Sequence, residues 1–237
     1  MKKNLYRVCL TFALLFLVSD ARATSVSFTG SLASSTDTFM VSFTLAAPSV
    51  VNVQTWGFGG GTNAMGALIA AGGFDPLIAL FSGTGPGATI LLSGVNPVFS
   101  ADNFPGFGGL CPPGSFVTIG GIPNCGDATI NLPGLAAGTY TLLLTDANYI
   151  PLAVNPGPPT ASMISDGFFD LTGGVFQTCV VVDPLLPPVC ITPSSKFAVD
   201  ITSTAPVVVT PEPGTLALLG TGLVALASRR FRRKRPV

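Results

Sequence analysis

Residues 38–45 read Thr-Phe-Met-Val-Ser-Phe-Thr-Leu, and this stretch indicates the fold more clearly than any other. Its apolar side chains recur at every second position, namely Phe39, Val41, Phe43 and Leu45. A period of two is typical of a β-strand that buries one face and leaves the other in water. The stretch therefore predicts a half-buried strand.

The same period recurs farther along the chain. Residues 139–145 and 197–202 alternate in this way, and weaker strand candidates are residues 50–56, 77–81, 89–92 and 128–132. Glycine and proline clusters separate these runs, and no long stretch of the body keeps the 3.6-residue period of a helix. About seven short strands between turns favour an all-β fold, and we expect an antiparallel β-sandwich over residues 24–205.

Charge is scarce and unevenly placed. The chain has 237 residues, a formal net charge of zero, 9% charged residues and no histidine. Between residues 24 and 210 one basic residue, Lys196, stands against nine aspartates, so the body is acidic. An acidic surface repels anions, which argues against a nucleic-acid partner. Without histidine, neither a Ser-His-Asp nor a Cys-His catalytic site can form.

The first 23 residues have the layout of a secretory signal peptide. Residues 1–7 are basic, residues 8–18 are an apolar run, and Ala21 and Ala23 occupy the two positions that a signal peptidase reads. The apolar run is too short for a stable membrane span. We therefore predict a signal helix over residues 1–23, export, and cleavage by signal peptidase after Ala23.

The other end of the chain predicts a membrane anchor. Pro211, Glu212 and Pro213 precede a short apolar segment, residues 215–228, which as a helix would be about 21 Å long. A basic end follows, made of Arg229, Arg230, Arg232, Arg233, Lys234 and Arg235. Positive charge beside a span is retained in the cytoplasm, so the body would lie on the periplasmic side. Residues 206–237 are predicted to form this tail.

Pro-Glu-Pro, a short hydrophobic helix and a terminal arginine cluster together resemble the PEP-CTERM sorting signal. The resemblance implies a Gram-negative exported protein that is held transiently in the inner membrane by its tail. It also implies processing by exosortase, a membrane cysteine protease or transpeptidase, and transfer to the cell surface or the extracellular matrix. Two prolines around Glu212 keep the segment extended, so that an enzyme can bind it as an open strand.

The body resembles a second group more loosely. Residues 54–56, 60–63 and 72–81 look like a group of exported proteins that carry the same tail. The layout, with an aspartate-led strand and a later Gly138-Thr139-Tyr140 strand, is similar to the bacterial pre-peptidase C-terminal domain. That resemblance implies a jelly-roll-like sandwich and a non-catalytic accessory module, in some members one that binds calcium or matrix.

Four cysteines remain after removal of the signal peptide: Cys111, Cys125, Cys179 and Cys190. An even number in an exported chain indicates disulfides, and four cysteines allow three connectivities. The local pairing would join Cys111 to Cys125 and Cys179 to Cys190. Zinc is the rival interpretation, but the chain offers neither a C-x-x-C pair nor a histidine.

Aspartates supply the remaining chemistry. Asp166 and Asp170 are the nearest pair for acid–base hydrolysis of a glycoside, although turn roles are an equally simple explanation. Calcium needs several oxygen ligands, for which the candidates are Asp75, Asp102, Asp127 and Asp146. None of them has the spacing of an EF-hand. We therefore predict no cofactor, with bound calcium as the alternative.

Three hypotheses follow for the function. The first is a non-enzymatic surface or matrix protein that contacts matrix polysaccharide or proteins. The second is a carbohydrate-binding module, calcium-assisted in one version, with Trp56 and Tyr149 as aromatic contacts. The third is an aspartate-based polysaccharide hydrolase that uses Asp166 and Asp170.

Overall fold

The structure is a computed structural model that describes residues 23–93, 96–101, 116–154 and 162–210. Two short 3₁₀ helices, Leu152–Val154 and Ile164–Asp166, interrupt an otherwise β-rich chain. The strands of these described residues are β1 (Ala23–Ser31), β2 (Phe39–Leu45), β3 (Ser49–Thr55), β4 (Gly61–Thr62), β5 (Leu68–Ile69), β6 (Pro76–Ser82), β7 (Thr89–Ile90), β8 (Leu92–Ser93), β9 (Asn96–Pro97), β10 (Phe99–Ser100), β11 (Phe116–Ile119), β12 (Ile122–Cys125), β13 (Thr129–Leu135), β14 (Gly138–Asp146), β15 (Tyr149–Pro151), β16 (Phe168–Asp170), β17 (Thr178–Val180), β18 (Val189–Ile191) and β19 (Lys196–Thr210).

One antiparallel sheet of nine strands forms the body. At its centre the long strand β19 pairs with β3 through its first half and with β2 through its last residues. Val53 of β3 lies opposite Ile201, and Leu45 of β2 lies opposite Val207. On their other side β14 pairs with β2, and β13 pairs with β3. The sheet continues through β1 beyond β19 and through β6, β7 and β10 beyond β14.

The sheet folds back on itself along a line that we call the crease, formed by residues 46–48, 136–137 and 204–206. The pairings of β2 and β3 with β19, and those of β14 with β2 and β13 with β3, all stop at this line. Pro48 and Pro206 lie in the crease. Because proline has no N–H to donate, it interrupts a ladder and permits a bend there.

The concave side of the folded sheet holds the larger hydrophobic core. Side chains from one half of the sheet, such as Val53 and Ile201, pack in the same cluster as Phe43 and Leu142 from the other half. These four side chains are fully buried. The alternation of residues 38–45 predicts this inner face correctly, since Phe43 and Leu45 are buried and Thr44 is only partly so.

A second core covers the outer side of β6 and β14. Leu77, Phe81 and Leu143 pack there against Val154 and Ile164 of the segment that contains the two 3₁₀ helices. Both faces of β6 and β14 are therefore buried, which accounts for the leucine run in the middle of β14. Strands buried on both faces lose the polar alternation of a half-exposed strand.

The two halves meet again at the end opposite the crease, which we call the open end. It is formed by the starts of β2, β6 and β19 and by the ends of β3 and β14. The ring of Phe39 at the start of β2 lies 4.7 Å from that of Phe197 near the start of β19 and 5.7 Å from that of Phe28. This aromatic group closes the concave core.

The predicted all-β, antiparallel character is confirmed, and each of the strand candidates contributes to an observed strand. The two-sheet sandwich is not confirmed, because hydrogen bonds join both halves through the shared strands into one curled sheet. The predicted signal helix and C-terminal helix lie outside the described residues. Within the described part of the chain there is no helix of the length and hydropathy needed to span a bilayer.

Candidate functional site

The C-terminal tail leaves the body directly from a core strand. Strand β19 ends at Thr210, which lies opposite Ser42 of β2, and the half-buried Val209 packs against the main core. Ser42 is the middle residue of β2, and β19 runs from the crease toward the open end where it reaches Thr210. The predicted boundary at residue 206 falls inside β19. Outside the described residues lie Pro211, Glu212 and Pro213 and the basic end Arg229, Arg230, Arg232, Arg233, Lys234 and Arg235.

The predicted signal-cleavage site lies beside the same strand. Strand β1 begins at Ala23, which is opposite Val207 of β19, and the register then shifts before Ser25 pairs with Thr202. Ala21 lies outside the described residues. The start of the predicted mature chain and the exit of the tail are thus on neighbouring segments of one sheet.

Asp200 on β19 holds the long loop after β3 in place. Its carboxylate is buried and accepts hydrogen bonds from the indole Nε1 of Trp56 at 2.7 Å and from the backbone N–H of Ala64 at 2.6 Å. The hydroxyl of Ser27 donates to its other oxygen. From the sequence alone, Asp200 is only a polar position of an alternating strand, and its role in holding the loop was not predicted. Aspartate is disfavoured in strands, and this was the available signal for a special role.

Asp127, a predicted calcium ligand, is also an anchor for this loop. Its two oxygens accept hydrogen bonds from the backbone N–H groups of Phe58 and Gly59, at 3.2 and 2.7 Å, and from the hydroxyl of Thr55. Burial raises the pKa of Asp127, and these hydrogen bonds oppose the rise. Gly126 beside it allows close packing, because a Cβ there would lie 2.3 Å from the ring of Phe58.

Two of the other predicted calcium ligands come together at the open end. Asp146 lies opposite Pro76, and the N–H of Ala147 donates to the backbone oxygen of Asp75 at 2.9 Å. Both aspartates are buried. Among the described residues, however, no group of three acidic, cysteine or histidine side chains is placed to hold a metal ion. Asp102 lies outside them.

Burial raises the pKa of Asp146 to about 6, and the negative charge of Asp170 contributes to the rise, while hydrogen bonds from Asn148 oppose it. The folded protein therefore binds a proton at Asp146 more tightly than the unfolded chain does. Stability should consequently fall as the pH rises from about 4 to about 6 and then become independent of this group. Asp146→Asn should remove that part of the fall, as measured by urea denaturation across the pH range. An unchanged pH profile in the variant would contradict the assignment, and Asp166→Asn serves as the exposed control.

Asp166 and Asp170 each serve their own turn. The carboxylate of Asp166 accepts hydrogen bonds from the N–H groups of Ser162 and Met163, and these bonds lower its pKa. Asp170 accepts from the N–H and the hydroxyl of Thr172, both at 2.8 Å. Asp166 bonds back to the residues that precede the second 3₁₀ helix, as in a capping box, and Asp170 bonds to the residue two positions after it, as in a turn.

The two aromatic candidates for carbohydrate binding are fixed in different places. Trp56 is half-buried, with its indole N–H held by Asp200, and Gly61 packs closely on the ring. Tyr149 stacks on Phe168 with 4.5 Å between the ring centroids and nearly parallel planes. Each ring therefore has one face occupied by the protein.

The cysteine pairing is confirmed where the structure describes it. Cys179 and Cys190 face each other across the β17–β18 hairpin and form a disulfide. Cys125 is the last residue of β12, where only the backbone is described, and Cys111 lies outside the described residues. The predicted Cys111–Cys125 bond stays a prediction.

Comparison with known proteins identifies the tail. Residues 209–234 match the family model described as the PEP-CTERM protein-sorting motif. The matched segment starts at Val209, one residue before the end of β19. The motif implies export across the membrane, exosortase-dependent processing and sorting to the cell surface. The chain therefore carries the sorting signal of an exported, exosortase-processed protein. No curated protein matches the chain, and the resemblance of the body to the pre-peptidase C-terminal domain is not supported.

Proposed function

We propose that this chain is a non-catalytic structural protein whose curled β-sheet is delivered to the cell surface or extracellular matrix. The observation that supports this most directly is the sorting motif at residues 209–234, joined to the end of β19 without an intervening linker. On this proposal the tail holds the body transiently at the inner membrane on the periplasmic side until exosortase processes it.

A non-catalytic role is supported by the way in which the body uses its carboxylates. Asp127 and Asp200 hold the loop after β3, and Asp166 and Asp170 hold turns. Each therefore has a structural task that an acid–base role would disturb. The proposal needs no metal ion and no cofactor.

Contact with neutral matrix components is supported by the outer face of the sheet. Asn52 donates to Asn131 across β3 and β13 at 2.6 Å, and Thr44 and Thr139 share a hydrogen bond across β2 and β14. These neutral side chains present donors and acceptors without charge. Matrix polysaccharide or protein is thus a better partner than an anionic polymer.

A carbohydrate-binding module is the second candidate, and the fixed indole of Trp56 favours it. A rigid, partly exposed ring loses little side-chain entropy when a sugar stacks on it. Glycan arrays of the wild type and of Trp56→Leu, each with and without calcium, would test this. Binding that Trp56→Leu abolishes would support the module, whereas a blank array would leave the ring with its structural role alone.

Deleting residues 211–237 should leave the body folded but prevent its sorting. All strands of the nine-stranded sheet end at or before Thr210, so the packing of the cores does not require the tail. We expect the truncated chain to accumulate in the periplasm, as measured by cell fractionation, with the Cys179–Cys190 disulfide intact by mass spectrometry.

A full-length Glu212→Ala variant is the matched control, because it keeps the apolar segment and the basic end. We expect it to stay in the inner membrane without processing. A truncated chain that reached the cell surface as efficiently as the wild type would contradict the proposal.

A further inference from the structure

The β17–β18 hairpin carries an apolar segment at residues 181–189, which read Val-Val-Asp-Pro-Leu-Leu-Pro-Pro-Val; we call it the apolar tip. Its Val182 and Val189 lie against Gly120 of the β11–β12 turn, whereas its leucines face solvent. Leu185 is 92% exposed, Leu186 63% and Val181 61%. The only charged residue of the tip is Asp183. A contiguous group of exposed aliphatic side chains is uncommon on a soluble surface and marks a contact with another apolar phase or partner.

The tip is held rigidly, so its exposure is built into the fold. The Cys179–Cys190 disulfide closes the hairpin beneath it. Asp183 shapes the turn, since its carboxylate accepts the N–H of Leu185 at 2.9 Å and its backbone oxygen accepts the N–H of Leu186 at 3.0 Å. These bonds fix the backbone of the turn that carries the two exposed leucines.

The base of the hairpin lies at the open end of the sheet. Before β17, Phe176 stacks on Phe74 with 5.1 Å between the centroids. After β18, the N–H of Ser194 donates to the backbone oxygen of Gly72 at 2.8 Å. Residues 72 and 74 directly precede β6, whose start helps to form the open end.

The tail leaves the body toward the same end. Strand β19 starts at the open end with Lys196, crosses the crease and returns toward the open end until Thr210, opposite Ser42. The contact between Phe39 and Phe197 brings the two halves together there. The base of the hairpin thus lies at the open end, and β19 runs toward the same end at Thr210, the last described residue before the sorting tail.

We propose that the apolar tip inserts into the surface of the lipid bilayer that the sorting tail enters, and so gives the body a second membrane contact. This inference rests on the proposed function only in requiring the tail to hold the chain at a membrane. The tip has no lysine or arginine, and the body has one lysine against nine aspartates. The contact is consequently made by burial of leucine and valine side chains, without attraction to lipid phosphates, and it is insensitive to salt.

Tryptophan scanning of the full chain in phosphatidylcholine vesicles tests the contact. Leu185→Trp places an indole at the tip, and Val50→Trp is the control, since Val50 is 47% exposed at the start of β3, beside the crease and away from the open end. Vesicles with brominated acyl chains quench only indoles that enter the bilayer, while Trp56 contributes the same background to both variants. We expect Leu185→Trp to lose most of its added emission and Val50→Trp to lose little, at low and at high salt alike.

Flotation of the same samples distinguishes a failure of the anchoring tail from a failure of the tip contact. A wild-type chain that does not float with the vesicles overturns both the anchoring tail and the tip contact. A chain that floats while the indole of Leu185→Trp stays unquenched overturns the tip contact alone. Shielding of that indole by a second copy, seen as a dimer in detergent without bromine quenching, also overturns it. Leu186→Trp repeats the measurement, and intact mass verifies the disulfide in every variant.

Discussion

Replacing Asp200 with alanine is expected to lower the free energy of unfolding by about 3 kcal/mol, because it removes the buried acceptor shared by three part-buried hydrogen bonds. Trp56 and Ala64 donate to one oxygen of this carboxylate and Ser27 to the other. Hydrogen bonds to a charged acceptor are stronger than neutral ones, and a donor left unpaired in the interior keeps its desolvation cost. Equilibrium urea denaturation, followed by the fluorescence of the single tryptophan, measures the change.

Two further variants serve as comparisons for Asp200→Ala. Asp200→Asn keeps one carbonyl acceptor in place and should lose less stability than Asp200→Ala. Asp166→Ala also removes a carboxylate that accepts two backbone N–H groups, but at an exposed site where water replaces it, so the expected loss is much smaller. An Asp200→Ala variant no less stable than Asp166→Ala would show that the loop after β3 is not held by Asp200.

The strands were predictable because their signal is local. Residues 38–45 predict β2 through apolar side chains two positions apart, and the two cysteines of the Cys179–Cys190 pair lie only eleven positions apart in the sequence. The crease was not predictable in this way. It depends on Pro48 and Pro206 reaching the same line of the sheet from distant parts of the chain, and no short window of sequence contains both.

In the candidate site, too, local features were predictable from the sequence and long-range contacts were not. The sorting tail is contiguous in sequence, so its three parts can be recognised without a structure. The roles of Asp127 and Asp200 depend on donors far away in the chain, such as Ala64, which is 136 residues from Asp200. Carboxylates that bind calcium and carboxylates that bind backbone N–H groups are identical in sequence, so Asp127 resembled a metal ligand until its partners were known.

Replacing Leu143 with alanine is expected to lower the free energy of unfolding by about 3 kcal/mol, as much as the same change at its neighbour Leu142. The two side chains lie on opposite faces of β14, and both are fully buried. Leu142 packs in the concave core, whereas Leu143 packs with Leu77, Phe81 and Ile164 in the second core. Each truncation removes the same aliphatic atoms from a filled interior and leaves a cavity.

Comparison of these neighbours tests whether the outer face of β14 is covered, as the second core requires. Without that cover the outer face of β14 would meet water, and Leu143→Ala would then cost less than about 0.5 kcal/mol. Thr44→Ala is the matched control on the outer face of β2, where the half-buried side chain shares a hydrogen bond with Thr139, so we expect a loss of about 1 kcal/mol or less. Urea denaturation of the three variants gives the order directly. If Leu143→Ala matches Leu142→Ala, the segment containing the 3₁₀ helices covers β6 and β14 in solution; if it matches Thr44→Ala, that cover is absent and the alternation of the strand alone describes the sheet.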